Sequence, residues 1–140
     1  MHNKVILTST DTTIGFISQS VKALDRAKER QSGKKYITAL PDLKSIKKRV
    51  PKKYKNLVRR AKKTTFILSK DYSFRVIKNK EHLKLIKKLG WAYTTSANKS
   101  GEDFNLAYAK SKADIIIEPL KSSNPSIIYK LGKSKLIKIR

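Results

Sequence analysis

The strongest constraint on how this chain folds is a series of short apolar runs that stop at polar turns. Residues 4–9 (KVILTS), 36–40 (YITAL), 64–69 (TTFILS), 73–77 (SFRVI), 91–96 (WAYTTS), 115–117 (III), 126–131 and 136–139 have the length and the β-branched or aromatic content of strands. Helical periodicity falls between them. Ser18 or Ser20 caps a helix through Val21, Leu24 and Ala27, ending near Lys28 to Gln31 before Ser32-Gly33. A second helix covers 81–89, with Leu83, Ile86 and Leu89 on one face and Gly90 closing it, and a third covers 106–112. Asp42, after Pro41, is placed to cap the next segment. Pro51 divides residues 44–63 into two short amphipathic helices, with Ile46, Val50, Tyr54, Leu57, Val58 and Ala61 as their apolar members. Gly15 marks a tight backbone position. Strands outnumber helices and the two alternate loosely, which predicts an α/β chain: one domain, 1–140, with a twisted mixed β-sheet and flanking helices. The expected core is Val5, Leu7, Ile37, Leu40, Phe66, Leu68, Val76, Leu83, Ile86, Leu89, Ala92, Ile116 and Ile128, with Trp91 and Tyr93 as packing residues.

Charge and cysteine usage narrow the function classes. Thirty-four Lys and Arg against ten Asp and Glu give a formal net charge of +24, a field that concentrates polyanions. Most of these cations are lysines, which lack the planar fork that makes arginine a specific phosphate ligand. The segment 44–63 contains no acid, and Lys47, Lys48, Arg49, Lys52, Lys53, Arg59 and Arg60 within it are candidate RNA-binding residues. The absence of cysteine excludes a disulfide framework, thiolate zinc sites and a cysteine nucleophile. No apolar run has the length of a signal peptide or membrane span, so the expectation is a soluble cytoplasmic protein. His2 and His82 are isolated from other ligand-type residues, so neither a metal site nor a general base is expected there.

Polar clusters stand at the ends of these elements: Ser9 to Thr13, Lys28 to Arg30, Arg75, Thr94 to Gly101, and Pro125-Ser126. Each has an ordinary explanation by itself. Ser/Thr/Asp turns bond to their own backbone, and cations favour helix C-termini. Their order along the chain is more informative. Ser9-Thr10-Asp11-Thr12-Thr13-Ile14-Gly15, Lys28-Glu29-Arg30, Phe74-Arg75-Val76, Thr95-Ser96-Ala97-Asn98-Lys99-Ser100-Gly101, Pro125-Ser126-Ile127-Ile128 and a closing Arg140 follow one another as in a known pattern. The chain resembles the YrdC-like family of L-threonylcarbamoyladenylate synthases from about Val5 to Arg140, with the Ser-Ala-Asn-x-Ser-Gly element as the specific match. It departs from the family at Ser9, Ile14 and Gln31, where Pro, Tyr and Pro are usual, and at 59–64, where a Trp-Pro-Gly-Pro segment is replaced by RRAKKT.

The resemblance implies a YrdC-like fold with a basic concave cavity, and a reaction in two stages. L-threonine and bicarbonate give a carbamate, which attacks the α-phosphate of ATP and releases pyrophosphate. It assigns Lys28 and Arg30 as catalytic and phosphate-binding, with Arg75, Ser96, Asn98 and Arg140 also on ATP, and Thr10, Thr12, Thr95 and Ser126 on threonine. Mg2+ would enter through the ATP phosphates and not through a protein cage. The implied partners are tRNA and a downstream threonylcarbamoyl transferase complex. The charge also supports another expectation, a YrdC-like protein that binds double-stranded RNA or tRNA with little or no synthase activity.

Overall fold

The computed structural model describes residues 3–31, 35–132 and 135–140. His2 and the helix end expected at Ser32-Gly33 lie outside the described residues. Nine strands and four α-helices occur among them, a mixed α/β fold. The chain divides into two compact units, Met1–Tyr36 with Tyr93–Asn124 and Ile37–Ala92 with Pro125–Arg140.

In the first unit, β1 (Ile6–Ser9) pairs antiparallel with β2 (Ile14–Ser18) and parallel with β7 (Ile115–Ile116). On its other side β2 pairs antiparallel with β6 (Ala92–Ser96), placing Gly15 opposite Ser96 and Phe16 opposite Thr95. The sequence reading did not identify β2, because IGFIS is short, interrupted by glycine and runs straight out of a turn. It is nevertheless buried along its whole length. Gly15 is required by close approach: a Cβ there would lie 2.9 Å from Thr10 Cγ2 and 3.0 Å from the Thr95 carbonyl oxygen. Helix α1 (Val21–Lys28) is capped by Ser20, whose hydroxyl accepts from Ala23 N at 3.1 Å. It packs Ala23, Leu24 and Ala27 onto Val5, Leu7 and Phe16. Helix α4 (Leu106–Lys112) is capped by Asn105 and contributes Ala109 to the same core.

In the second unit, β3 (Ile37–Leu40) runs parallel to β5 (Tyr72–Val76), which pairs antiparallel with β4 (Thr64–Ser69). Strand β4 continues parallel to β8 (Ile127–Leu131), and β8 antiparallel to β9 (Leu136–Lys138). Asn79 caps α3 (Lys80–Leu89) through His82 N, with Glu81 in its first turn and Lys87 and Lys88 in its last, both signs matched to the helix dipole. Leu40, Val50, Tyr54, Val58, Phe66, Phe74, Val76 and Leu131 form the core, and burial of each phenylalanine contributes about 2–3 kcal/mol.

Two expectations are corrected. The segment 44–63 does not form two α-helices: a 3-10 turn at Leu43–Ser45 is followed by irregular chain with bends at Lys47 and Lys48, and a second at Lys52–Tyr54 leads into α2 (Lys55–Arg60). Pro51 disfavours helical backbone at Val50, and the preceding Ile46-Lys47-Lys48-Arg49 has too little apolar surface to hold a helix. The expected Asp42 cap does form, with Oδ1 accepting from Ser45 N at 2.9 Å. The core list also needs revision. Ile116 is 40% exposed, because the two-residue β7 is an edge strand, and Ile37, Leu68, Leu83, Leu89 and Ile128 are half-buried. Phe16, Ile17, Val58, Phe74 and Ile77 are buried in addition to the residues expected.

Candidate functional site

The segment after β6 is folded around one side chain. Lys28, in the last turn of α1, is 2% exposed, and its ammonium donates to Ser96 O at 2.9 Å, Asn98 O at 3.0 Å and Asn98 Oδ1 at 3.2 Å. These three acceptors match the three protons of a lysine ammonium. The loop also holds itself. Asn98 Nδ2 donates to Lys99 O at 3.0 Å and Glu102 O at 2.8 Å, Ser96 Oγ donates to Asn98 Oδ1, and Ser100 N donates to Lys28 O at 2.9 Å. Gly101 turns the chain at φ 81°, a conformation that glycine adopts without strain. Burial, and then the charge of Arg30, lower the Lys28 pKa to about 8. Lys28 therefore sits against protein oxygens of the loop it supports.

Arg30 is held differently. Its guanidinium lies over the Tyr36 ring at 4.9 Å, its backbone N–H donates to Asp25 O at 2.9 Å, and its Nε is buried with no hydrogen-bond partner. Tyr36 OH donates to Asp25 Oδ1 at 2.6 Å, and burial together with that bond raises the Tyr36 pKa to about 12. Glu29 takes the left-handed conformation that ends α1 and turns its carboxylate toward Lys99 at 4.0 Å and Lys112 at 3.7 Å. The chain thus leaves Arg30 as the stacked cation of this cluster and Lys28 as its bonded one.

The hydroxyls of the first turn are engaged locally. Thr10 Oγ1 donates to Thr13 O at 2.6 Å, accepts from Thr12 N at 3.1 Å and lies 3.2 Å from Thr12 Oγ1. Segment 119–123 fastens on the same turn, with Ser9 Oγ donating to Pro119 O at 2.9 Å and Ser123 N donating to Thr12 O at 2.8 Å. Thr95 is half-buried on β6. The structure therefore brings Thr10 and Thr12 together, and Lys28, Ser96 and Asn98 together, all within the first unit.

The second unit holds the remaining expected site residues. Ser126 is 3% exposed, and its hydroxyl accepts from Thr65 Oγ1 at 2.9 Å and from Arg140 Nη2 at 3.2 Å. Arg140 Nε donates to Ser126 O at 2.9 Å, so Ser126 and Arg140 form one fixed pair. Arg75 is 4% exposed, on β5 opposite Ala39. Beside it is His82, 3% exposed, both ring nitrogens without a hydrogen-bond partner, its pKa pushed down to about 4 by burial and then by the Arg75 charge. Lys47, Lys48, Arg49, Lys52, Lys53, Arg59 and Arg60 are all exposed. Among the described residues, no group of three or more His, Cys, Asp or Glu could hold a metal ion, and no helix is long and apolar enough to cross a membrane.

The sequence reading did not anticipate Asp25 and Tyr36, which position Arg30, Thr65, which holds Ser126, or the burial of His82. No local signal marks them. Thr65 and Ser126 are 61 residues apart, and Asp25, Tyr36 and His82, though within seven residues of Arg30 or Arg75, meet them only through the turns and strand of the fold.

This arrangement of strands and helices is the YrdC-like fold. Over 99% of its length the chain superposes on P. abyssi Sua5 complexed with L-threonine, with a TM-score of 0.83, 19% identity and 50% of that chain covered. E. coli YciO matches with a TM-score of 0.77 and 18% identity over 98% of this chain and 82% of that one. Full-length HypF in its phosphate- and nucleotide-bound form matches with a TM-score of 0.75 and 18% identity over 99% of this chain and 22% of that one. In sequence, the uncharacterized protein MG259 of Mycoplasma genitalium is 31% identical over 145 residues, covering 94% of this chain. The chain spans about a third of the length of the curated relatives it matches, 31% and 30%. No family model matches the sequence.

Proposed function

We propose that the chain is an L-threonylcarbamoyladenylate synthase domain acting in tRNA threonylcarbamoyladenosine modification. The observation that carries this reading is the loop at Ser96 to Gly101, closed around the Lys28 ammonium and bonded to itself. A loop fixed by so many internal bonds suits a reaction whose catalysis rests on positioning. The amino group of threonine adds to the carbon of bicarbonate and water leaves, giving a carbamate. A carbamate oxygen then attacks the α-phosphorus of ATP, the bond to the β-phosphate oxygen breaks, and pyrophosphate leaves as threonylcarbamoyl-AMP forms. The substrates supply the nucleophile, so no Ser-His or Cys-His pair is needed.

Arg30, held by Tyr36 and carrying an unpartnered Nε, suits an anionic oxygen of ATP or of the threonine carboxylate. Lys28 acts as the positioning residue of the loop: Ser96 Oγ keeps acceptor capacity for the nucleotide, while the Asn98 amide, filled by Lys28, Ser96, Lys99 and Glu102, serves ATP by holding the loop in shape. Arg75 and Arg140 neutralise phosphate charge, and Thr10, Thr12, Thr95 and Ser126 contact threonine. A magnesium ion would enter with ATP and screen its phosphates. The Sua5 neighbour is complexed with L-threonine and the HypF neighbour binds phosphate and nucleotide, which supports this substrate pair. The product would pass to a threonylcarbamoyl transferase complex that acts on tRNA.

The test is release of AMP and pyrophosphate from ATP with threonine and bicarbonate supplied together or singly. Turnover that requires both is the expected result. A rate indifferent to threonine removes the assignment. The exposed cations of residues 47–60 favour a second reading, a YrdC-like protein that binds double-stranded RNA or tRNA with little or no synthase activity. Under that reading RNA binding persists in Ser96→Ala/Asn98→Ala and threonine has no effect.

A further inference from the structure

Ser9 stands where the family pattern has proline, and the departure brings two hydrogen bonds with it. Its hydroxyl donates to Pro119 O at 2.9 Å and accepts from Lys121 N at 2.6 Å, partners 110 and 112 residues away. A proline side chain offers neither a donor nor an acceptor. Two residues beyond Lys121, Ser123 N donates to Thr12 O at 2.8 Å. Segment 119–123 is thereby bonded along its length to the turn that follows β1.

The segment itself has no ladder. It belongs to no helix or strand, and Pro119, Lys121, Ser122 and Ser123 are exposed. Leu120 is half-buried against the core of the first unit. Just before the segment the chain is fixed, with Ile117 N donating to Leu7 O at 2.9 Å. Water replaces the partner when an exposed hydrogen bond breaks, so each such bond shifts an opening equilibrium by only about two- to tenfold. Stretches held by exposed bonds and little apolar burial open locally at far less than the cost of global unfolding.

The turn beneath is closed to a ligand as it stands. Thr10 is 8% and Thr12 3% exposed. Thr10 sets its methyl against Gly15, and its hydroxyl bonds to Thr13 O and lies 3.2 Å from Thr12 Oγ1. Contact between Thr12 and a small molecule therefore needs a neighbouring element to move. Strands β1 and β2, which flank the turn, are fixed in the sheet, whereas 119–123 lies outside it.

We propose that the Ser9 hydroxyl latches segment 119–123 across the turn of Thr10 and Thr12, and that a small molecule of amino-acid size reaches Thr12 when this latch opens. That the molecule is threonine rests on the synthase reading; the latch does not. Ser9 is a positioning residue here, acting through the strap and touching no substrate.

The chain has no cysteine, so Thr12→Cys introduces a single thiol whose alkylation by iodoacetamide reports access to the turn. Adding Ser9→Ala or Ser9→Pro is expected to speed alkylation by about tenfold, while Ser9→Thr, which keeps the hydroxyl, stays near the starting rate. Ser122→Ala, whose lost hydroxyl bonds to Ser123 O within the strap, should leave the rate unchanged. Equal rates with and without the Ser9 hydroxyl overturn the latch. Ala23→Cys, at a buried position in the core of the same unit, separates local opening from unfolding. Its alkylation should not respond to Ser9→Ala, and a parallel rise overturns the latch in favour of general loosening.

Hydrogen exchange checks the same point without the added thiol. Ser9→Ala should speed exchange of the Lys121 and Ser123 amides by about tenfold and leave that of Leu24 in α1 unchanged. Unchanged exchange at Lys121 and Ser123 overturns the latch. AMP release is measured separately. Loss of threonine dependence with Ser9-dependent alkylation intact removes the synthase reading and keeps the latch. Threonine-dependent turnover with alkylation indifferent to Ser9 removes the latch and keeps the synthase reading.

Discussion

Lys28 and Lys48 carry the same ammonium group in opposite surroundings. Lys28 is 2% exposed and meets three oxygens of the loop it supports. Lys48 is exposed beside a cleft of the second unit, with Lys44, Arg49, Lys55, Arg59 and Lys78 around it, and among the described residues none of the six is paired with a carboxylate. In a chain of net charge +24 the number of cations says little about their roles. What separates them is whether their donors are already committed. A committed cation shapes the protein, and an uncommitted one is available to a ligand.

The largest expected effect follows from the committed one. Lys28→Ala strips the donor from Ser96 O, Asn98 O and Asn98 Oδ1 and leaves space where a long stem was buried. Unsatisfied acceptors cost about 1–3 kcal/mol each when water cannot reach them, and the lost packing adds to that. A loss of about 3–4 kcal/mol in urea denaturation is expected, against less than about 0.5 kcal/mol for Lys48→Ala. Equal stabilities for the two variants would break the comparison.

A buried group with no partner extends the same logic. His82 lies beside Arg75 with neither ring nitrogen bonded, and its pKa falls from 6.5 to about 4. The unfolded chain therefore takes up a proton at a higher pH than the folded one. Stability is complete above about pH 6.5, declines as pH falls toward about 4 and levels off below that, at no more than about 1.4 kcal/mol per pH unit. The difference between the unmodified protein and His82→Leu should show this loss, on the order of 3 kcal/mol across the window. A difference that does not vary with pH would mean that His82 gains a partner on protonation.

How much of this was legible in the sequence depends on the range of the interaction. Ser20, Asp42 and Gly90 act within a few residues of themselves, and their capping roles are readable from the elements they bound. Most strand positions were readable for the same reason. Strand β2 was not, because Gly15 breaks its apolar run and the need for that glycine arises from Thr10 and Thr95. Ile116 was misjudged because apolar composition does not reveal an edge strand. The motif at Ser96 to Gly101 was visible as a likeness. That Lys28 would spend its protons there, 68 and 70 residues away, follows only from the fold. The cleft was half visible: the acid-free run suggested a polyanion, while Lys78 joins it from beyond β5.

The smallest effect sharpens the comparison by its sign. Lys48→Gln removes one of six unpaired cations around the cleft and breaks no hydrogen bond the structure assigns to it. Relief of repulsion should raise stability by a few tenths of a kcal/mol at low salt. At about 1 M salt the screening length falls to about 3 Å and the gain should vanish. Urea midpoints of Lys48→Gln and the unmodified protein at low and high salt decide this. A loss of stability at low salt would show that Lys48 is held by the protein after all, as Lys28 is, and that the cleft's charge is part of its structure.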